Sequence, residues 1–481
     1  DYYLVDLATG KREQLITANQ GRPSLSPDGK FLSWYEEGNW YLLDASTNES
    51  RNLTGKLDVP FADEVWDYPE DTPGYGVAGW LDMSEAVMIY DKYDIWKFPL
   101  EEGDPVCLTE GKGRAGKLQF RIRQLDREKQ FLEKGEYLLL SAYHDLEKYT
   151  AFYTMKAGKA GVSPLVEEAK KYSLVAKAKE ADMLLYTRQS YTEFPDLWVA
   201  DLKFKKPRKL SDLNAQTRDI AWGEAELVEW SSLDGKAMQG ILIKPGNYKP
   251  GEKYPVLVYY YRFFSNRLYD FNRVELTHRP VFPFYASNGY AIFLPDIRFD
   301  VGTPGYSATK CLVPGVQKII DMGIADPDRM GVGGWSYGGI LTNYVITQTD
   351  RFEGAITGAS EVLYIANYGH DHYQRQWEAE LGLPWEGDNR DNWERISPFN
   401  RVEHVSTPTL VMGGEKDWNV PIQNSEQLYQ ALRRRGVPTE LVVYPDQPHG
   451  LGPASYRRDR HERYLAWYER WVKQPGARPV S

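Results

Sequence analysis

Cysteine is nearly absent: Cys107 and Cys311 are the two in a chain of 481 residues. They lie far apart, on this reading in different domains, so no disulfide is expected. That does not fix a compartment, because a large domain needs no such staple. No run of residues approaches the roughly 18 apolar positions that span a bilayer. Positive charge is not in excess either. The net charge of −10 lacks the basic footprint that nucleic acid or an anionic membrane requires of a main partner. A starting methionine is also missing: Asp1-Tyr2-Tyr3-Leu4-Val5-Asp6 opens already in strand pattern. An N-terminally truncated piece of a longer protein is therefore expected, any targeting segment having gone with the missing part.

What is present is an ordinary globular balance, 42% hydrophobic and 26% charged, in a chain long enough for two to four domains. From residue 1 to 222 short strands alternate with turn signals. A strand, a polar turn and a segment closing on Leu plus a small polar residue recur roughly every 40 to 55 residues. The copies run from Tyr2–Asp6 to Leu15, Trp40–Asp44 to Leu53-Thr54, Ile95–Phe98 to Leu108-Thr109 and Leu197–Asp201 to Leu210-Ser211. Such a period, all strand and turn, predicts a β-propeller with about four or five blades visible. A β-sandwich with chance similarity between hairpins is the alternative.

After Gly223 strands alternate with helical stretches up to residue 481. Pro255–Tyr261, Ala291–Pro295, Thr409–Met412 and Leu441–Tyr444 read as buried strands. Val316, Ile319 and Ile320 mark one helix face, and Gln427–Arg434 closes at Gly436. This alternation predicts an α/β-hydrolase domain over 223–481, with a doubly wound, mostly parallel sheet.

The strongest local signal is Gly334-Trp335-Ser336-Tyr337-Gly338. A strand, a sharp elbow carrying serine and a helix directly behind it is the context such a motif needs. Glycines two residues to either side are required because side chains there would clash in the strained turn. The elbow presents Ser336 as nucleophile and puts the Tyr337 N–H at a helix N-terminus, facing developing negative charge. A serine needs a base and an acid that orients the base, in the order Ser, Asp/Glu, His on this fold. Of seven histidines only His449 and His461 lie well downstream. His449 follows a strand in a loop, whereas His461 reads as the surface of the final amphipathic helix. Glu415 and Asp417 both stand after the preceding strand, and pattern alone leaves either as the acid.

Gly-Trp-Ser-Tyr-Gly-Gly, the stretch around Asp417 through Val420-Pro421, and Pro448-His449-Gly450 resemble, in this order and spacing, the prolyl oligopeptidase family of serine peptidases. Ser231–Pro245, at the entry to the second half, is similar too. The resemblance implies a propeller of seven or eight blades over a hydrolase domain, short peptides as substrates, no cofactor and no metal. It selects Asp417 as the acid. It implies an oxyanion hole from the Tyr337 N–H and a tyrosine hydroxyl, with Tyr261 as candidate. Arg262-Phe263-Phe264 departs from the family's usual loop, so Tyr259 and Tyr260 stay open. Asn419 matches a position that helps bind a substrate carbonyl, and Tyr364 and Tyr368 lie in a segment that lines the pocket for the residue before the scissile bond. Each of the three has an ordinary structural reading as well.

Glu36-Glu37 precedes Gly38-Asn39 and reads as a hairpin turn, not as a clamp for an amino terminus. Gly369-His370-Asp371-His372 lacks placed third and fourth ligands and is not read as a metal site. Besides the peptidase, a carboxylesterase of the same fold and a propeller binding protein with an inactive hydrolase domain remain alternatives. A homodimer is left open.

Overall fold

The computed structural model describes residues 1–17, 21–82, 84–101 and 103–474. The chain divides into two compact units, one of residues 1–66, 70–188 and 196–211, the other of 67–69, 189–195 and 212–481. The second unit begins ahead of Gly223 because Trp222 is part of its core. The indole Nε1 donates to the Tyr191 carbonyl at 3.0 Å, and the ring stacks on Phe271 at 5.0 Å.

The first unit opens with a hairpin, Tyr2–Val5 against Arg12–Ile16. Two four-stranded antiparallel meanders follow, Ser24–Leu25 to Glu49–Asn52 and Val77–Leu81 to Val106–Cys107. A third runs from Leu118–Arg123 to Val162–Val166, and four further strands in sequential order, Lys171–Lys177 to Arg208–Lys209, join it through a parallel bridge between Thr150 and Lys171. The recurrent Leu-Thr/Ser pair has a common physical task. Leu53, Leu108 and Leu210 each donate a backbone N–H, at 2.8 Å, to a carbonyl near the start of a strand: Trp40, Ile95 and Leu197. In return Thr54, Thr109 and Ser211 accept the N–H of that same residue through their hydroxyls, at 3.0, 3.2 and 2.9 Å. Each hydroxyl then donates to the side chain of the residue before that one, Asn39, Asp94 or Asp196. A hydroxyl suits the place because it accepts one hydrogen bond and donates another at the same atom. Glu37 and Gly38 are the two turn residues between Glu36 and Asn39, both with positive φ (45° and 84°), as a tight two-residue hairpin demands.

The second unit is built on one eight-stranded sheet. Its strands are β1 (Glu224–Ser231), β2 (Ala237–Lys244), β3 (Tyr254–Tyr259), β4 (Ala291–Pro295), β5 (Ala325–Trp335), β6 (Gly354–Gly358), β7 (Thr409–Gly414) and β8 (Thr439–Tyr444). Spatial order is 1-2-4-3-5-6-7-8. β1 and β2 pair antiparallel, β2 runs antiparallel to β4, and the pairings from β4 through β8 are parallel. Alternate residues serve opposite faces. Val256 and Val258 of β3 face a core shared with Leu312, Val316 and Ile319 of helix α1 (Pro304–Asp321) and with Leu341 and Val345 of helix α2 (Tyr337–Gln348). Leu257 and Tyr259 face the other core, closed by the C-terminal helix Ala454–Tyr468 and the turn beyond it through Trp467, Tyr468 and Trp471. Burial on both faces is why these strands read as unbroken apolar runs.

Candidate active site

β5 is the central strand, and its last residue, Trp335, delivers the chain to the elbow. Ser336 has φ 59° and ψ −128° and is the N-cap of α2. A non-glycine residue held at positive φ is costly and persists where its surroundings fix it. Here the Ser336 N–H donates to Gly358 O of β6 at 2.9 Å, and its carbonyl accepts from Ile340 at 3.0 Å. A Cβ at Gly334 would come within 2.2 Å of the Gly338 backbone, and one at Gly338 within 2.5 Å of Tyr260 O. Neither obstacle is a movable side chain. Gly334→Ala is accordingly expected to cost about 3 kcal/mol or more, measured as a drop in the urea midpoint at unchanged slope. Tyr337 is the first residue of α2, so its N–H is among those the helix leaves unpaired.

Asp417 and His449 stand after the carboxyl ends of β7 and β8, beside β5 and β6. His449 Nδ1 lies 2.8 Å from Asp417 Oδ2. Asp417 is buried, and its other oxygen accepts the Asn419 and Val420 N–H groups, both at 2.9 Å. Three contacts thus hold one carboxylate rigidly toward one imidazole. The Trp335 indole donates to His449 O at 3.2 Å, tying the histidine loop to the residue before the serine. Among the described residues no hydrogen bond joins the Ser336 hydroxyl to the imidazole. Such contacts are often loose in unliganded sites and tighten with substrate bound. Glu415 instead accepts the Asp446 N–H, and His461 Nε2 meets Thr277 O at 2.8 Å.

The three tyrosines at the end of β3 have distinct surroundings. Tyr259 is buried with its hydroxyl unpartnered, and Tyr260 is buried and donates to Thr342 Oγ1 at 3.1 Å. Tyr261 is 42% exposed, its ring 6.1 Å from that of Tyr337. The loop behind it is firmly built. The Asp296 carboxylate accepts Phe264 N–H, Ser265 N–H and Ser265 Oγ–H. Arg262 is paired with Asp67 and stacks 4.3 Å from the Tyr68 ring, and its carbonyl accepts Ile297 N–H at 2.7 Å.

Asn419 lies beside Asp417 and close to Tyr373. Tyr364 is buried, its ring edge-on to Trp377 at 4.6 Å. Tyr368 donates to Glu378 at 2.6 Å and packs against Trp385 and Trp393. Both belong to a small aromatic cluster of the helical segment between β6 and β7. Sequence reasoning missed Tyr373 and Glu361. Glu361 is 0% exposed and among the described residues nothing donates to its carboxyl, while Asn343 and Asn424 hold the peptide group that follows it. Burial, then the Asp371 and Asp417 carboxyls, push its pKa well above the ordinary value. Only a single acidic residue after a strand marks it in the sequence, which is no signal at all.

Because Glu361 binds its proton more tightly folded than unfolded, its contribution is most favourable below about pH 4.5. It declines as pH rises from there toward the folded-state pKa, at about 1.4 kcal/mol per pH unit. Glu361→Gln should remove that decline. The variant's stability relative to the parent should grow between pH 5 and pH 8, read by urea denaturation at each pH.

A serine on a strand-to-helix elbow, with an Asp–His pair after the next-but-one and following strands of this sheet, defines an α/β-hydrolase. Residues 305–475 match the prolyl oligopeptidase family, a stretch that takes in the elbow, the carboxylate and the histidine. The chain is 29% identical over 271 residues to the uncharacterized peptidase YuxL of Bacillus subtilis, covering 52% of this chain and 39% of that one. It is 25% identical over 314 residues to dipeptidyl-peptidase 5 of Porphyromonas endodontalis, covering 60% and 44%. It thus spans less than half the length of these curated relatives. A puromycin-hydrolyzing peptidase of Mycobacterium tuberculosis superposes with TM-score 0.70 at 17% identity, over 98% of this chain and 73% of that structure, a likeness of fold.

Proposed function

We propose that the protein is a serine peptidase that hydrolyses short peptides through an acyl-enzyme, with Ser336, Asp417 and His449 as triad. The observation that carries this reading is the 2.8 Å Asp417–His449 contact beside the Ser336 elbow. His449 Nε2 takes the Ser336 proton as Oγ attacks the scissile carbonyl. The negative charge on the carbonyl oxygen is met by the Tyr337 N–H and the Tyr261 hydroxyl, Tyr261 being the exposed member of its trio. The C–N bond then breaks, and the imidazolium returns its proton to the leaving amine. Water, deprotonated by the same imidazole, releases the acid and restores the serine. Asp417 holds the Nδ1–H tautomer throughout. Asn419 is assigned to the substrate carbonyl, and Tyr364 and Tyr368 to the walls of the pocket before the scissile bond. The three meanders and the four further strands of the first unit are read as propeller blades.

The test is a fluorophosphonate probe together with a peptide-library digest read by mass spectrometry, run beside Ser336→Ala. Labelling and cleavage that both vanish in the variant are expected. Turnover of p-nitrophenyl esters with no peptide cleaved would replace this reading with an esterase. An unlabelled, folded parent protein would replace it with a binding protein.

A further inference from the structure

The loop between β3 and β4 carries two arginines that form no ion pair among the described residues. Arg262 has Asp67, Arg273 has Glu275 at 3.7 Å, and Arg460 donates to Thr277 O while lying 4.9 Å from the Trp335 ring. Among the described residues Arg267 and Arg279, by contrast, make no ion pair and donate no side-chain hydrogen bond. Their guanidinium carbons lie 5.8 and 5.4 Å from the Phe264 ring centre, and both residues line one cavity of about 240 Å³. Its remaining walls include the apolar Phe264, Leu268, Phe271 and Phe282. Asp270 and Glu275 line it too. Glu275 is the partner of Arg273, and Asp270 does not offset what burial and the nearby Arg267 do to Arg279, whose pKa is held below the usual arginine value. A partly buried cation crowded by another cation is unfavourable until an anion joins them.

The position of this pair gives the anion its identity. His278, adjacent in sequence, faces Arg267, Arg279, Arg460 and His449; partial loss of hydration, then these cations, push its pKa down to about 4. It is therefore neutral near pH 7, and the positive charge there belongs to the arginines. In the acylation step His449 protonates the departing amine, so the leaving part of the substrate runs past His449, toward this loop. An α-carboxylate one or two residues beyond the scissile bond is the anion that a leaving peptide supplies.

We propose that Arg267 and Arg279 form a subsite for the free C-terminal carboxylate of the leaving segment, with the apolar cavity beside them taking its last side chain. This rests on the peptidase reading and adds a substrate class to it: short peptides with an unblocked C-terminus and an apolar final residue. Two charge-assisted contacts of this kind are worth roughly 10- to 100-fold in kcat/KM.

The experiment pairs peptides that differ only in ending as the acid or the amide, cleaved by the whole chain. The acid is expected to be cleaved at least about 10-fold more efficiently. Arg279→Ala and Arg267→Ala should each lower the acid-to-amide ratio toward one, and Arg279→Lys should keep part of it. Raising the salt concentration should shrink the parent's ratio as well, a readout that needs no variant to fold. Equal cleavage of acid and amide by the parent would overturn the subsite while leaving the peptidase standing. So would variants that slow both peptides equally. Absence of Ser336-dependent cleavage of either peptide would overturn the peptidase reading and the subsite with it.

Discussion

Ser336→Ala should lower kcat on a peptide by about 10⁴- to 10⁶-fold, with KM changed little. A loss of this size is expected if Ser336 is the group that forms the acyl intermediate, as proposed. What remains is the oxyanion donors and substrate positioning, which act on water attack alone. Stability should be nearly untouched. Alanine tolerates the positive φ no worse than serine does, and the backbone bonds to Gly358 and Ile340 do not involve the side chain. A melting temperature within ~3 °C of the parent, measured beside the rate, separates lost chemistry from lost folding.

Asp417→Asn carries the second largest effect, about 10⁴-fold in kcat near neutral pH. The local geometry dictates how the amide must sit. The Asn419 and Val420 N–H groups both point at one carboxylate oxygen, so an asparagine would keep its oxygen there and turn its NH2 toward His449 Nδ1. A donor in that place forces Nδ1 to accept, which moves the imidazole proton to Nε2. A protonated Nε2 cannot take the Ser336 proton. Steady-state rates across pH 6 to 10, with fluorophosphonate labelling slowed in parallel, check this. A variant within tenfold of the parent would remove Asp417 from the triad and reopen Glu415.

Much of this was legible before any coordinates. The run Val332 to Gly338 announced its strand, elbow and helix because each carries a local steric requirement, and glycine at 334 and 338 is a backbone necessity. The Leu-Thr/Ser closers were visible as a repeat, though not their reason, since the hydroxyl's partners lie about 14 residues upstream. The loop after Tyr261 was unreadable for a similar cause: Asp296, which accepts its N–H groups, comes from the next strand. Tyr373 and Glu361 were missed because neither residue type, alone, distinguishes a buried site from a surface.

The amino-acid sequence by itself determined the order of chemistry along the chain: the elbow at Ser336, a histidine in a loop at 449, and an acid at either 415 or 417. These follow from local sterics and from the succession of strands, which short segments encode. Tertiary structure decided which groups face one another. It turned Asp417 rather than Glu415 toward the imidazole, exposed Tyr261 while burying Tyr259 and Tyr260, buried Glu361 completely, and brought Arg267 and Arg279 to one cavity. Those outcomes depend on distances between residues tens to hundreds of positions apart, set by sheet order and packing, and no local pattern records them.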